Sequence, residues 1–109
     1  MDQVAQTQHK DLEQSWAEQS IAYQMANIGS EVSRALKNQD KPARFRGAFE
    51  RALELFDFSI DAACNKQAFG TLRELCRARE EFCDYFNGNA YHTDPAKMQR
   101  YYDQFASLI

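Results

Sequence analysis

The chain has 109 residues, with 13 Lys and Arg against 16 Asp and Glu for a net charge of −3, and 13% of it is aromatic. That length closes one hydrophobic core and not two. The near-balanced charge excludes a globally basic nucleic-acid binder and an acidic disordered tail, while leaving room for a local basic patch.

No apolar run approaches the roughly 20 residues of a membrane span, and the opening MDQVAQTQHKDLEQ is polar where a signal peptide is apolar. A soluble cytoplasmic protein without a membrane partner is expected. Three cysteines, Cys64, Cys76 and Cys83, are an odd set that fits a reducing compartment better than a disulfide framework. The two prolines and four glycines fall where helices start, bend or stop, so the chain reads as all-α.

Residues 1–10 are Gln-rich and carry no apolar stripe, which predicts a flexible N-terminal arm ahead of a single helical domain over 11–109. The first helix is expected from about Asp11 to about Lys37. Its second half places Ile21, Met25, Ile28, Val32 and Leu36 on one face, whereas Leu12, Trp16 and Tyr23 point the other way. Gly29 marks a close helix approach, since a mid-helix glycine otherwise costs about 1 kcal/mol relative to alanine. NQDKPAR is a turn, with Asp40 as N-cap and Pro42 in the first helical turn.

The second helix carries the broadest stripe, Phe45, Ala48, Phe49, Ala52, Leu53, Phe56, Ile60 and Ala63, with Leu55 and Phe58 off it and in need of cover on a second side. A third helix is expected from about Gln67 to Phe86, packed on the second as an antiparallel hairpin because the connection is short. Asn87-Gly88 stops it, and Asp94-Pro95 starts a last, short helix with Met98, Tyr101, Tyr102 and Phe105 on one side. The fold expected is an antiparallel up-and-down four-helix bundle with a long first helix and a short C-terminal helix.

Two features stand out against this plain architecture. The stretch TLRELCRAREEFCDYF aligns Leu72, Cys76, Arg79, Cys83 and Phe86, with a guanidinium at the centre of an apolar face. Burying an unpaired guanidinium is costly, so Arg79 either meets a carboxylate, with Glu31, Glu50 and Asp61 as candidates, or lines a solvated cleft. The ion pair is the preferred reading. The cleft would bind an anion such as phosphate through Arg79, Arg73 and Arg77, with Asn87, Asn89 and His92 from the following loop. The second feature is the face of Leu12, Trp16 and Tyr23, which is either covered internally or forms an interface.

Cys76 and Cys83 lie two helical turns apart, too far to bridge and too widely spaced for a two-ligand metal site, so they are expected as core residues. His9 and His92 read as surface residues. Arg46 with Glu50, and Arg77 with Glu81, are four apart and able to pair along their helices. No phosphate-binding Gly-rich loop, histidine pair or nucleophile beside a histidine occurs, and no cofactor or metal is expected.

The segments MANIGSEVSRA (25–35), AFERALELFDFSID (48–61) and REEFCDYFNGN (79–89) resemble a group of small bacterial all-helical proteins of uncharacterised activity, over most of the chain from Trp16 to Phe105. The architecture resembles, more distantly, the HEPN class of four-helix proteins, which includes toxin ribonucleases and partners of nucleotidyltransferases. HEPN ribonucleases place a histidine a few residues after an arginine. Here the only downstream histidine, His92, is too far from Arg79, so the resemblance implies a non-catalytic bundle rather than a ribonuclease.

Expected function follows from these readings: a non-catalytic interaction module that self-associates or binds a partner protein through Leu12, Trp16 and Tyr23, with enzymatic activity left open. The alternative is a HEPN-like nucleotide- or RNA-related domain with an anion-binding cleft around Arg79. Nucleic acid is the less expected partner, because most aromatics belong to core stripes.

Overall fold

A computed structural model describes residues 11–109; the arm expected over 1–10, His9 included, lies outside the described residues. Those residues are all-helical, without a strand. Among the described residues, helix α1 runs through 11–17, followed by α2 (Ile21–Lys37), α3 (Pro42–Asn65), α4 (Phe69–Phe86) and α5 (Pro95–Ala106).

The uninterrupted helix expected over 11–37 is two helices. Ser20 adopts an extended backbone and its hydroxyl accepts from the Tyr23 amide, capping α2. Gln24, 4% exposed, donates its side-chain amide to the carbonyls of Trp16 and Gln19 and so satisfies the end of α1. The Lys66 ammonium donates to the Ala17 carbonyl at 2.7 Å, tying the same end to the far end of α3. The break thus costs few unsatisfied backbone groups.

Helix α2 buries Met25, Ile28, Val32 and Ala35 between α3 and α5. The turn after it departs from expectation at one position: Lys41, not Asp40, is the N-cap of α3 and supplies no side-chain cap, while Pro42 opens the helix. Both predicted sides of α3 are covered. Phe56 and Ala52 are fully buried, as is Ser59 on the second side, where Leu55 and Phe58 are also buried and Trp16 packs.

Helix α4 lies against α3 through a row of rings. Phe49 stacks on Phe82 at 5.1 Å and Phe45 meets Phe86 at 5.0 Å, with Phe56 reaching Phe82 at 5.9 Å. Such offset and tilted contacts add about 0.5–1.5 kcal/mol per pair to area burial. Asp94 caps α5 as expected, accepting from Ala96 N at 2.9 Å. Helix α5 then seats Tyr102 against Gly29 of α2, the close approach foreseen at that glycine.

Candidate functional site

The groove between α4 and α5 is built from one face of α4 and from the turn that precedes α5. Residues 70, 73–74, 77–78 and 81 recur at helical spacing and form one wall. The turn 91–94 with Lys97, Met98 and Tyr101 forms the other, around a volume of about 870 Å³.

Hydrogen bonds frame the turn. The Asp84 carboxylate accepts from the amides of Ala90 and Tyr91, and its carbonyl accepts from Asn89 N at 2.8 Å. The Asn89 side chain accepts from Thr93 N and donates to Thr93 O. Within this frame Asn89 and His92 both take left-handed backbone angles, φ 49° and 54°, a conformation that costs a non-glycine residue of order 1 kcal/mol and persists where its surroundings over-determine it. His92 thereby reaches the groove wall.

Two phenols fasten this assembly to α4. Tyr91 donates to Glu80 at 2.6 Å and Tyr101 donates to Glu74. Burial first, then the bond to Glu74, pushes the Tyr101 phenol well above its ordinary value; burial does the same to Tyr102.

The groove holds six charged side chains, and their commitments differ. Glu74 is engaged by Tyr101, and Asp94 by the α5 cap. Arg73, Arg77 and Lys97 make no ion pair among the described residues, and neither does Glu81. The Arg77–Glu81 pair expected along α4 is therefore not formed, nor is Arg46–Glu50 along α3. What the groove offers is uncommitted cationic donors from two walls, with Ala78 and Tyr101 between them.

Of the residues expected around an anion cleft, the fold brings Arg73, Arg77 and His92 together and leaves the others out. Arg79 lies on the other edge of α4, where its Nε donates to Asp57 Oδ1 at 2.9 Å, with 36% and 56% of the two side chains exposed. Its partner is none of Glu31, Glu50 and Asp61, and an exposed pair of this kind contributes about 0–1 kcal/mol. Leu75 and Phe82 are the buried residues of α4, so the apolar stripe is centred on them and Arg79 flanks it. Asn87 serves as the exposed C-cap of α4, and Asn89 is spent on the turn.

The core role expected for Cys76 is corrected in the same way: it is exposed, while Cys83 is half-buried. Burial pushes the Cys83 thiol up despite the nearby Arg79 guanidinium. No cluster of His, Cys, Asp or Glu among the described residues could hold a metal ion.

The Leu12, Trp16 and Tyr23 face is divided. The Trp16 indole donates to the Ser59 hydroxyl at 2.8 Å and its ring sits partly buried, 6.1 Å from that of Tyr23. Leu12 and Tyr23 remain 64% and 38% exposed.

Sequence reasoning overlooked Lys97, Tyr91 and Tyr101 as groove residues. Arg73 and Arg77, four apart, signalled one wall, but the opposite wall depends on how the turn folds back. Searches of protein-family models, of curated proteins and of solved structures return no match to this chain. No helix among the described residues is long and apolar enough to cross a membrane.

Proposed function

We propose that the protein is a non-catalytic helical binding module whose working surface is the α4–α5 groove. The scaffold is an antiparallel up-and-down arrangement of α2 to α5, with α1 folded across it. The groove takes an anionic group, carboxylate or phosphate, of a small ligand or partner protein, and a body attached to that group rests on Ala78 and Tyr101.

One observation carries this reading: Arg73, Arg77 and Lys97 converge on the groove without ion pairs among the described residues, while two of its three carboxylates are already engaged. Uncommitted guanidinium donors favour planar, multidentate anions. This is the anion-cleft alternative, moved from Arg79 to its neighbours on the opposite edge of α4.

The test is a chemical-shift titration of the full chain with phenyl phosphate and with benzoate. Shifts confined to α4, the 91–94 turn and the start of α5, abolished in Arg73→Gln/Arg77→Gln, are expected. Absence of localised shifts at millimolar probe would refute the assignment.

A second reading, self-association, is favoured by the exposure of Leu12 and Tyr23 beside the engaged Trp16. Light scattering over a concentration range separates the two: a stable dimer lost in Leu12→Gln/Tyr23→Gln supports it, and a monomer throughout removes it.

A further inference from the structure

The charges of this chain are unevenly distributed. Between residues 34 and 51 stand six of its 13 cationic side chains and only two of its 16 carboxylates, Asp40 and Glu50. The remainder of the protein is correspondingly acidic. A net charge near zero therefore conceals a basic end, formed by the last turn of α2 and the first turns of α3.

The fold concentrates these cations. Arg34 of α2 and its C-cap Asn38 face Arg44, Gly47 and Arg51 of α3 across a hollow of about 460 Å³, which Glu31 also lines. Arg46 lines an adjoining hollow that shares Gly47 and also includes Glu50. Arg51 is engaged by Glu54 in an exposed pair three residues apart that exchanges readily with other anions, whereas Arg34 is held by Glu31, whose side chain is only 13% exposed. Lys37, Lys41, Arg44 and Arg46 have no ion pair among the described residues, and the first turn of α3 contains no acidic residue to relieve their repulsion.

Gly47 adds an independent observation. It stands inside a 24-residue helix, where glycine costs about 1 kcal/mol relative to alanine. Gly29 offsets that cost by admitting Tyr102. A Cβ at Gly47 would meet nothing within 4 Å, so no internal packing explains its absence. Its effect is to leave bare backbone between arginines, where a bulky external group can approach α3 closely.

We infer that this basic end binds the phosphodiester backbone of a nucleic-acid duplex without reading its sequence. Other polyanions fit less well. Cations alone hold an anionic membrane only weakly, and stable anchoring takes a second signal such as inserted apolar residues, while a protein interface calls for aromatic or aliphatic anchors. The exposed large apolar side chains, such as Ile21, Phe69 and Leu108, all lie outside 34–51. Single strands are held largely by aromatic platforms, and the only rings in the segment, Phe45 and Phe49, belong to the core seam with α4. Duplex backbone binding needs only cations and a shallow, accessible surface.

The experiment is fluorescence anisotropy of a labelled duplex of about 20 base pairs with the full chain, titrated at several salt concentrations between about 50 and about 200 mM. Expected is micromolar to about 100 µM binding at the lowest salt, with a log–log salt slope of about −3 to −4 for four engaged phosphates. In Arg44→Gln/Arg46→Gln, whose helicity circular dichroism verifies, the slope should shrink by about 2 and affinity should fall at least about tenfold. Arg73→Gln/Arg77→Gln should bind the duplex like the parent, which keeps this site distinct from the α4–α5 groove. No binding at the lowest salt, a salt-independent affinity, or an unaffected Arg44→Gln/Arg46→Gln variant would overturn the inference. Polyglutamate that binds as tightly as the duplex would overturn the ligand assignment and transfer the patch to an acidic polypeptide.

Discussion

Replacing Gly29 by alanine tests the packing of α5 on α2 directly. An added Cβ would lie 2.4 Å from Tyr102 Cβ and 3.2 Å from its Cγ. Carbon atoms settle at about 3.5–4 Å, so the shortfall exceeds about 1 Å. Rotation of the tyrosine cannot relieve it, because Cβ is fixed to the backbone of α5. The helices must part, and Tyr102, 1% exposed and in edge contact with Phe56, loses packing on both sides. Overpacking of this kind costs about 1–3 kcal/mol, occasionally more. Alanine returns about 1 kcal/mol of helix propensity. A shortfall this large puts the cost in the upper half of that range, about 2–3 kcal/mol, so the net expectation is a loss of about 1–2 kcal/mol, which for a chain of this size lowers Tm by roughly 4–8 °C per kcal/mol. Gly47→Ala provides the control: it meets open space and should raise stability by about 0.5–1 kcal/mol. Both values come from urea denaturation followed by circular dichroism. A Gly29→Ala protein at least as stable as the parent would refute the argument, since propensity alone would then account for both glycines.

Two further expectations concern stability. Trp16→Phe keeps a ring on the core but removes the donor to Ser59, a residue only 1% exposed, and should cost about 1–3 kcal/mol in denaturant titration; an unchanged midpoint would mean that Ser59 finds another partner. Alkali should destabilise the protein through Tyr101 and Tyr102. Their folded-state phenols are raised above the ordinary value of about 10, so the neutral form is favoured in the fold. That stabilisation is fully present below about pH 10 and is lost as pH rises toward the raised folded values. Stability measured against pH should fall in this window, and Tyr101→Phe should flatten part of the fall; a flat profile in the parent would contradict it.

The helical class was legible because period-3.6 stripes in α2, α3 and α5 and the Pro and Asp-Pro starts are local properties. The α3 side of the aromatic seam was also visible, as the spacing of Phe45, Phe49 and Phe56, whereas Phe82 of α4 stood outside the expected stripe. Three misreadings share one cause. The break at 18–20 rests on Gln24 folding back to two carbonyls and on Lys66 arriving from α3. Arg79 and Cys76 fit the pattern of α4 as well as Leu75 and Phe82 do, and only about 70° of rotation separates the two faces. Which face turns inward depends on what α3 presents to it.

The sequence by itself determined which segments coil, where most of them stop, and that six cations cluster between 34 and 51, because propensity, capping and charge are written residue by residue. Only the tertiary structure decided that Arg79 meets Asp57, that Trp16 is held by Ser59, and that Arg73 and Arg77 look across a groove at Lys97. Those pairings join residues about 20 or more positions apart, and their geometry follows from how helices of fixed shape pack into a shared core.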